Sequence, residues 1–509
     1  MTGQMPASDP NKVALNFNGD KSLTYGEFGE TTMRYARALR DLGLTKGDRL
    51  GILLFNCPEY VPLCFAAARL GVIVVRINFR LAPGEIKFIV ADSGCDALIL
   101  HTSLIERVDA IRKELEVRSY VAVTDTAEPL PEWLIPFSSF DQADPLPAGN
   151  CPLIAETDPL GILYTSGTTG TPKGAVWSHR NFLGTAEMQL LKWQFSEDTV
   201  SLVPGPLYHG GAFEAVTGPT LLTHGTAVTL ASGNFTVEKL LDVINAEKVT
   251  DSLIFSFMLQ DMLQLPDLED RLPPTLRRLI VGGDTLMPWA YDKAAQRMPA
   301  VDIVQVYGST ETGAIATALD HRYGLKHPKS CGKPMPLNEI RVVNDDGLAC
   351  AVEQTGEVEV RGPGVSSGYW NNPDATATTF HEGWARSGDL GFVNADGFLT
   401  LAGRAKDMIR SGAENIYPAE IERVLTAHAA VVDAAIIGVP DDRYNEVGCA
   451  VLIVNEHDPG DDALRHFLRD QMAGYKVPKH FIRVGELPRN ASGKVLKSIL
   501  REQYLAEIR

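Results

Sequence analysis

Residues 164–174 read YTSGTTGTPKG, a run of small residues and hydroxyls that ends on a single cation, Lys173. The apolar stretch Leu160–Tyr164 precedes it, so the segment reads as a strand running into a loop. Glycines let such a loop curl until its N–H groups converge, and the hydroxyls of Thr165, Ser166, Thr168 and Thr169 add donors around Gly167. That chemistry suits an anion, and a chain of phosphates is the expected guest. A nucleoside-triphosphatase phosphate loop would place the lysine directly after its second glycine. Here Thr171 and Pro172 stand between Gly170 and Lys173, so the spacing fails that test. A plain polar turn is the alternative.

The remainder of the chain bounds the answer. Its 509 residues, 45% hydrophobic and 22% charged, are an ordinary globular composition with material for more than one domain. A formal charge of −17 argues against nucleic acid as a partner and requires any phosphate site to be locally basic. Cys57, Cys64, Cys95, Cys151, Cys331, Cys350 and Cys449 are scattered, with no paired spacing to suggest zinc or a disulfide framework. The opening MTGQMPASDPNK resembles neither a signal nor a transit peptide, and no apolar run approaches the roughly 18 residues a bilayer requires. The cytoplasm is the expected address, without a transmembrane segment.

Strand and helix patterns alternate from Val13 onward. Tyr35, Ala38, Leu39 and Leu42 recur at helical spacing before Gly43, and RLGILLF, GVIVVRINF and DALILH read as buried strands. A parallel sheet with helices on both faces follows. Residues 128–158, dense in Pro and Asp, read as a surface connection. Ser178 is placed to cap a helix with Phe182, Ala186 and Leu190 on one stripe. From Ser330 to Gly403 short strands and Asn/Asp-Gly turns predict a small antiparallel sheet or barrel. After Lys406 about a hundred residues with their own apolar faces suggest a separate α+β domain. The expected fold is therefore α/β, with parallel-sheet lobes and a β-barrel-like subdomain over 1–405 and a small mobile α+β domain over 406–509.

Further segments carry chemistry. In QVYGSTETG, Gln305–Gly313, Glu311 is a natural oxygen ligand for Mg²⁺, Thr310 can reach a phosphate, and Tyr307 can lie against a base. This segment, YTSGTTGTPKG, WARSGDLGF at 384–392, GRAKDMIRSGAENIYPAEIE from 403 and LPRNASGKVLK at 487–497 together resemble the signatures of the adenylate-forming superfamily. That superfamily holds acyl- and aryl-CoA synthetases, firefly luciferase and the adenylation domains of nonribosomal peptide synthesis. The resemblance runs from Leu23 through Lys497.

It implies an ATP-dependent acid:CoA ligase that forms acyl-AMP and pyrophosphate, then acyl-CoA and AMP, with ATP, Mg²⁺ and coenzyme A as cofactors. Thr165–Thr169, Gln305, Tyr307, Gly308 and Thr310 would bind the nucleotide, and Glu311 with Thr168 the metal. Asp389 and Arg404 would hold ribose and phosphate, Asn415 would contact the nucleotide, Gly412 would line the pantetheine path, and Lys406 would be the hinge. Lys494 would be the catalytic lysine of adenylation, alongside Lys173, and His209 an aromatic gate to the thiol tunnel. Gly210, Gly211, Phe213, Phe257, Met258, Gly283, Asp284, Ala314 and Ile315 are the candidate acid pocket. The two adjacent glycines suggest a bulky, ring-bearing or branched acid. Arg76 stands where many relatives carry proline, Asp284 where a small neutral residue is usual, and Ala491 where threonine is usual. The resemblance allows a homodimer. Transfer to the pantetheine of a carrier protein, or a nucleotide-binding regulator without catalysis, are the alternatives; a phosphate-loop kinase is disfavoured by the spacing.

Overall fold

The structure is a computed structural model, and it describes residues 9–126, 128–165, 172–233, 235–283, 286–404, 407–411, 414–441, 444–472, 474–489 and 494–504. Ser166, Gly167, Thr168, Thr169, Asp284, Lys406 and Gly412 lie outside the described residues, as does the side chain of Asn415. The chain divides into two compact units: Met1–Ile340 with Val360–Ala385, and Arg341–Glu359 with Arg386–Arg509. The boundary expected at Lys406 falls outside the described residues.

In the first unit, two sheets are built from the described residues. One has seven strands in the order Ile135–Pro136, Ser119–Val123, Ala97–His101, Arg49–Leu53, Ile73–Arg76, Pro159–Thr165 and Lys173–Ser178. All its neighbours run parallel except the last pair. The other has nine strands, with parallel Val13–Phe17, Thr226–Thr229, Val200–Val203, Asp251–Phe255, Arg278–Gly282 and Asp302–Tyr307 at its centre. Antiparallel Lys21–Thr24 closes one edge, and Thr317–Leu319 and Lys333–Pro334 the other.

Helices cover these sheets with apolar side chains turned inward, and helix Tyr60–Leu70 is buried along its whole length except at Arg69. Thr24 caps helix Tyr25–Asp41 in a reciprocal box, its Oγ1 accepting from Glu27 N–H at 3.2 Å while Glu27 Oε2 accepts from Thr24 N–H at 2.8 Å. Phe28, Tyr35 and Leu39 of that helix are buried. Helix His179–Trp193 starts on Ser178 as the sequence predicts, with Phe182 and Ala186 inside. The principal core joins residues of both sheets, among them Ile52, Ile99 and Val121 from one and Val203, Ile280 and Val304 from the other. A second core on the far face of the seven-stranded sheet packs Val75, Leu98 and Ile162 against Ile86 and Val90 of helix Pro83–Ser93.

Residues 128–158 are more than the surface connection their composition suggests. Ile135–Pro136 extends the seven-stranded sheet, and Phe137 and Phe140 are buried, stacked at 4.7 Å, with Tyr35 edge-on to Phe137 at 5.1 Å. Two aromatics in four residues hold the segment to the core, a signal the surrounding Pro and Asp obscure.

The second unit has its own cores. Strands Val431–Asp441 and Asn445–Val454 pair over their full length, joined by Ile409–Ser411, Glu414–Ile416 and parallel His480–Arg483. Helices Pro418–Thr426 and Asp461–Arg469 bury Ile421, Leu425, Leu464 and Leu468 on one face. Helix Lys497–Tyr504 places Leu500 on the other, with Ile437 and Val451. The unit also holds most of an antiparallel sheet that pairs Trp384–Val393 with Leu399–Arg404. Among the described residues, no helix is long and apolar enough to cross a membrane.

Candidate active site

Thr165 and Lys173 are register partners in the antiparallel pair that brackets the Gly/Thr segment. Both ends of that segment are thereby fixed by a strand ladder, and Lys173 opens a strand rather than a helix. Its ammonium lies 5.3 Å over the ring of Tyr369, a contact that orients a flexible cation without neutralising it.

The second motif follows strand Asp302–Tyr307 and reaches the same place. Thr165 Oγ1 donates to Glu311 Oε1 at 2.9 Å, and Tyr369 OH donates to the same oxygen at 3.1 Å. Burial, and then the Glu311 charge, push the Tyr369 phenol up, so it stays a donor. The loop backbone is pinned at Thr310, whose carbonyl accepts from Trp177 Nε1 at 3.0 Å, and at Glu311, whose carbonyl accepts from Ser366 N–H at 3.0 Å. Ala316 N–H returns to Tyr307 O at 2.7 Å, closing the turn. Gly308 is required there: a Cβ would stand 2.4 Å from Ala314 O.

The Gln305 carboxamide turns inward. It is 2% exposed, and its Oε1 accepts from Leu286 N–H at 2.9 Å and from Tyr291 OH at 3.0 Å. Its side chain therefore braces the chain after strand Arg278–Gly282, because a buried amide must find partners inside the fold. Tyr369 is the group the sequence reading misses. Its segment docks on strand Lys173–Ser178, with Ser367 N–H donating to Val176 O at 2.8 Å and Trp370 N–H to Gly174 O at 2.8 Å. No local pattern in Gly368-Tyr369-Trp370 announces that pairing.

His209 precedes the helical turn Gly210–Ala212. Burial first, then the Arg76 and Arg80 charges, hold its imidazole down to about 4, so the ring is neutral at physiological pH. Its Nε2 is buried without a hydrogen-bond partner among the described residues. Around it, Gly211 faces open space, where an added methyl would meet nothing within 4 Å, whereas Gly210 is bounded by Leu163, Glu214 and Ala314. Ala314 takes a left-handed φ of 63° to turn the chain there. Phe257 is half exposed and stacks on Phe255 at 5.9 Å, and Gly283, with φ of 90°, closes on the Phe255 ring. Phe213, Ile315 and Met258 are buried; Phe213 packs on Phe182, Phe65 and the Arg76 guanidinium and lines a cavity with Cys64, Trp177 and Glu214. Aromatic bulk is worth more in that contact than at a wet surface.

Within the second unit, Asp389 and Arg404 are cross-strand partners. Arg404 Nε and Asp389 Oδ1 are 2.6 Å apart, and Ser387 Oγ accepts from Asp389 N–H at 3.1 Å. Lys494 is exposed and directly precedes Val495, which bridges to Arg489.

Comparison with known proteins gives the family. Residues 4–370 match the AMP-binding enzyme family and residues 420–494 its C-terminal domain. The chain is 35% identical over 499 residues to a feruloyl-CoA synthase of Amycolatopsis sp, covering 97% of this chain and 96% of that one. It is 34% identical over 492 residues to the long-chain-fatty-acid–CoA ligase FadD13 of Mycobacterium tuberculosis, covering 96% and 94%. A crystal structure of ATP-bound MatB from Rhodopseudomonas palustris superposes with a TM-score of 0.90 at 28% identity, covering 99% of this chain and 98% of that one. The chain belongs to the AMP-binding enzyme family and is an AMP-forming acyl-CoA synthetase of the adenylate-forming superfamily.

Proposed function

We propose that Glu311, Lys173, Lys494 and the Gly/Thr segment carry the adenylation half-reaction, and that the acid is bulky, ring-bearing or branched. The observation that supports this most directly is the meeting of the two signature segments at Glu311 Oε1. Among the described residues Oε1 is held by two hydroxyls, which leaves Oε2 of the same carboxylate for a cation and fits Mg²⁺, an ion that takes one or two carboxylates beside phosphates and water. When bound, Mg²⁺ would supply positive charge to the phosphates. Thr168 would add a hydroxyl ligand.

The protein's own groups do the positioning. Lys173, oriented by Tyr369, would hold terminal phosphate oxygens, Thr310 would reach the α-phosphate, and Tyr307 would lie against adenine. A carboxylate oxygen of the acid then attacks the α-phosphorus, and the bond to pyrophosphate breaks. Two anions must approach for this to happen. Lys494 would offset their repulsion, at about 4 kcal/mol per charge pair for ~4 Å and an effective dielectric of ~20. In the second half-reaction the thiol sulfur of coenzyme A attacks the acyl carbon and AMP leaves with the bonding pair. His209, neutral, would flank the thiol's route, and Asp389 with Arg404 would hold the ribose. Lys406 would be the hinge by which the C-terminal region changes role between the two steps.

Lys494→Ala tests the scheme. Acid-dependent pyrophosphate exchange should fall by about 10²-fold or more, while thiolysis of adenylate supplied ready-made continues. A variant that makes adenylate at the wild-type rate would sink it. A panel of aromatic, branched and straight-chain acids assayed for AMP release with coenzyme A tests the substrate class; faster turnover of straight chains would refute it.

A further inference from the structure

Glu214 carries a carboxylate that the fold satisfies on one side only. It lies in the π-helical turn Phe213–Thr217, is 3% exposed, and pairs through Oε1 with the guanidinium of Arg76, which is 6% exposed. Arg76 is itself fixed, donating to Leu207 O at 3.0 Å with its guanidinium 5.1 Å over the Phe213 ring. The other oxygen, Glu214 Oε2, is buried with no hydrogen-bond partner among the described residues. It does not face solvent.

Its position is given by the neighbouring glycine. A methyl on Gly210 would stand 3.6 Å from Oε2, 3.5 Å from Leu163 and 3.9 Å from Ala314, while one on Gly211 would meet nothing within 4 Å. The free oxygen thus lies against Gly210, beside Leu163 and Ala314, and Gly210 and Ala314 belong to the candidate acid pocket. His209 Nε2, at the same turn, is a second buried atom without a partner among the described residues. Packing alone does not account for the pair, since well-packed apolar residues usually replace a buried ion pair at no loss. A buried acceptor left empty is costly, and a ligand donor removes that cost.

We propose that Glu214 Oε2 is a specificity-determining acceptor for the tail of the carboxylic acid, taking a hydrogen bond from a hydroxyl or N–H distal to the reacting carboxylate. This rests on the ligase reading and narrows its substrate class. Ala314 follows Glu311 by three residues on the same loop, which keeps the acceptor near the reaction site and favours a ring-sized tail over an extended chain. Arg76 acts through Glu214: it holds Oε1 and so aims Oε2.

The test compares matched acids that differ only in the donor: para- and meta-hydroxyphenylpropanoate against phenylpropanoate, and indoleacetate against its N-methyl derivative. For the wild type, kcat/KM should favour the better donor-bearing acid by about ten-fold or more. Glu214→Gln leaves Arg76 unpaired and is open to misfolding, so the deciding variant is Arg76→Met with Glu214→Leu, which removes both charges together. In it the preference should shrink to within about two-fold or invert. Equal turnover of every matched pair by the wild type would overturn the inference, as expected if Oε2 is satisfied by internal water. So would a preference that survives intact in the double variant. Failure of all acids to release pyrophosphate would instead overturn the ligase reading, and the inference with it.

Discussion

Thr165 Oγ1 donates to Glu311 Oε1 across 2.9 Å, joining the strand that leads into the Gly/Thr segment to the loop that follows strand Asp302–Tyr307. These residues are 146 positions apart in the chain. Glu311→Gln keeps the size of the side chain and removes its charge, so pyrophosphate exchange should fall by about 10²-fold or more with the melting temperature little changed. Thr165→Val should cost less, about ten-fold, the worth of one hydrogen bond to a charged group. Exchange rates measured over a Mg²⁺ titration check both; a fully active Glu311→Gln would refute the metal assignment.

Gly308→Ala places a methyl 2.4 Å from Ala314 O, a backbone atom that cannot swing aside. The loop must shift, at a cost of about 1–3 kcal/mol in urea unfolding. Pyrophosphate exchange should drop with it, because Thr310 and Glu311 ride on that loop. Unfolding midpoints and exchange rates of the same preparation decide the matter, and wild-type values for both would contradict the geometry.

The Asp389–Arg404 pair predicts an asymmetry. Asp389 has a side chain 8% exposed, and Arg404 one 32% exposed. Arg404→Ala therefore removes the ion-pair partner of a nearly buried carboxylate and should destabilise the second unit by about 1–3 kcal/mol. Asp389→Asn leaves a guanidinium that reaches water and should cost less stability, yet raise the KM for ATP if Asp389 holds ribose. Denaturation curves and ATP saturation kinetics on the two variants separate these effects; equal destabilisation would count against the burial argument.

Acid should weaken the fold through two histidines. His209 and His179 are each held down to about 4, chiefly by burial, which disfavours the charged ring. The unfolded chain, with ordinary imidazoles near ~6.5, then binds more protons than the native state between the two values. Stability from this source is complete above about pH 6.5 and declines as pH falls towards 4. Melting temperature followed over that range should fall more steeply for the wild type than for His209→Phe or His179→Phe. Parallel curves would show that neither ring is neutral when folded.

Much of this enzyme is legible in the chain itself. Helical spacing from Tyr35 to Leu42, the capping residues Thr24 and Ser178, and the Asn/Asp-Gly turns after Ser330 are local signals, set by interactions within a few residues, and the structure carries each of them. The signature segments identify the chemistry because phosphate, metal and carboxylate each require a particular functional group at a particular place. What the sequence could not assign are contacts between distant segments. Tyr369 is an ordinary aromatic until its segment docks beside Lys173, the carboxamide of Gln305 finds its partners at Leu286 and Tyr291, and the Phe213 ring carries the Arg76 guanidinium. The pairing of Arg76 with Glu214 spans 138 residues. Charge and burial decide such pairings, and both are properties of the packed chain rather than of any stretch of it.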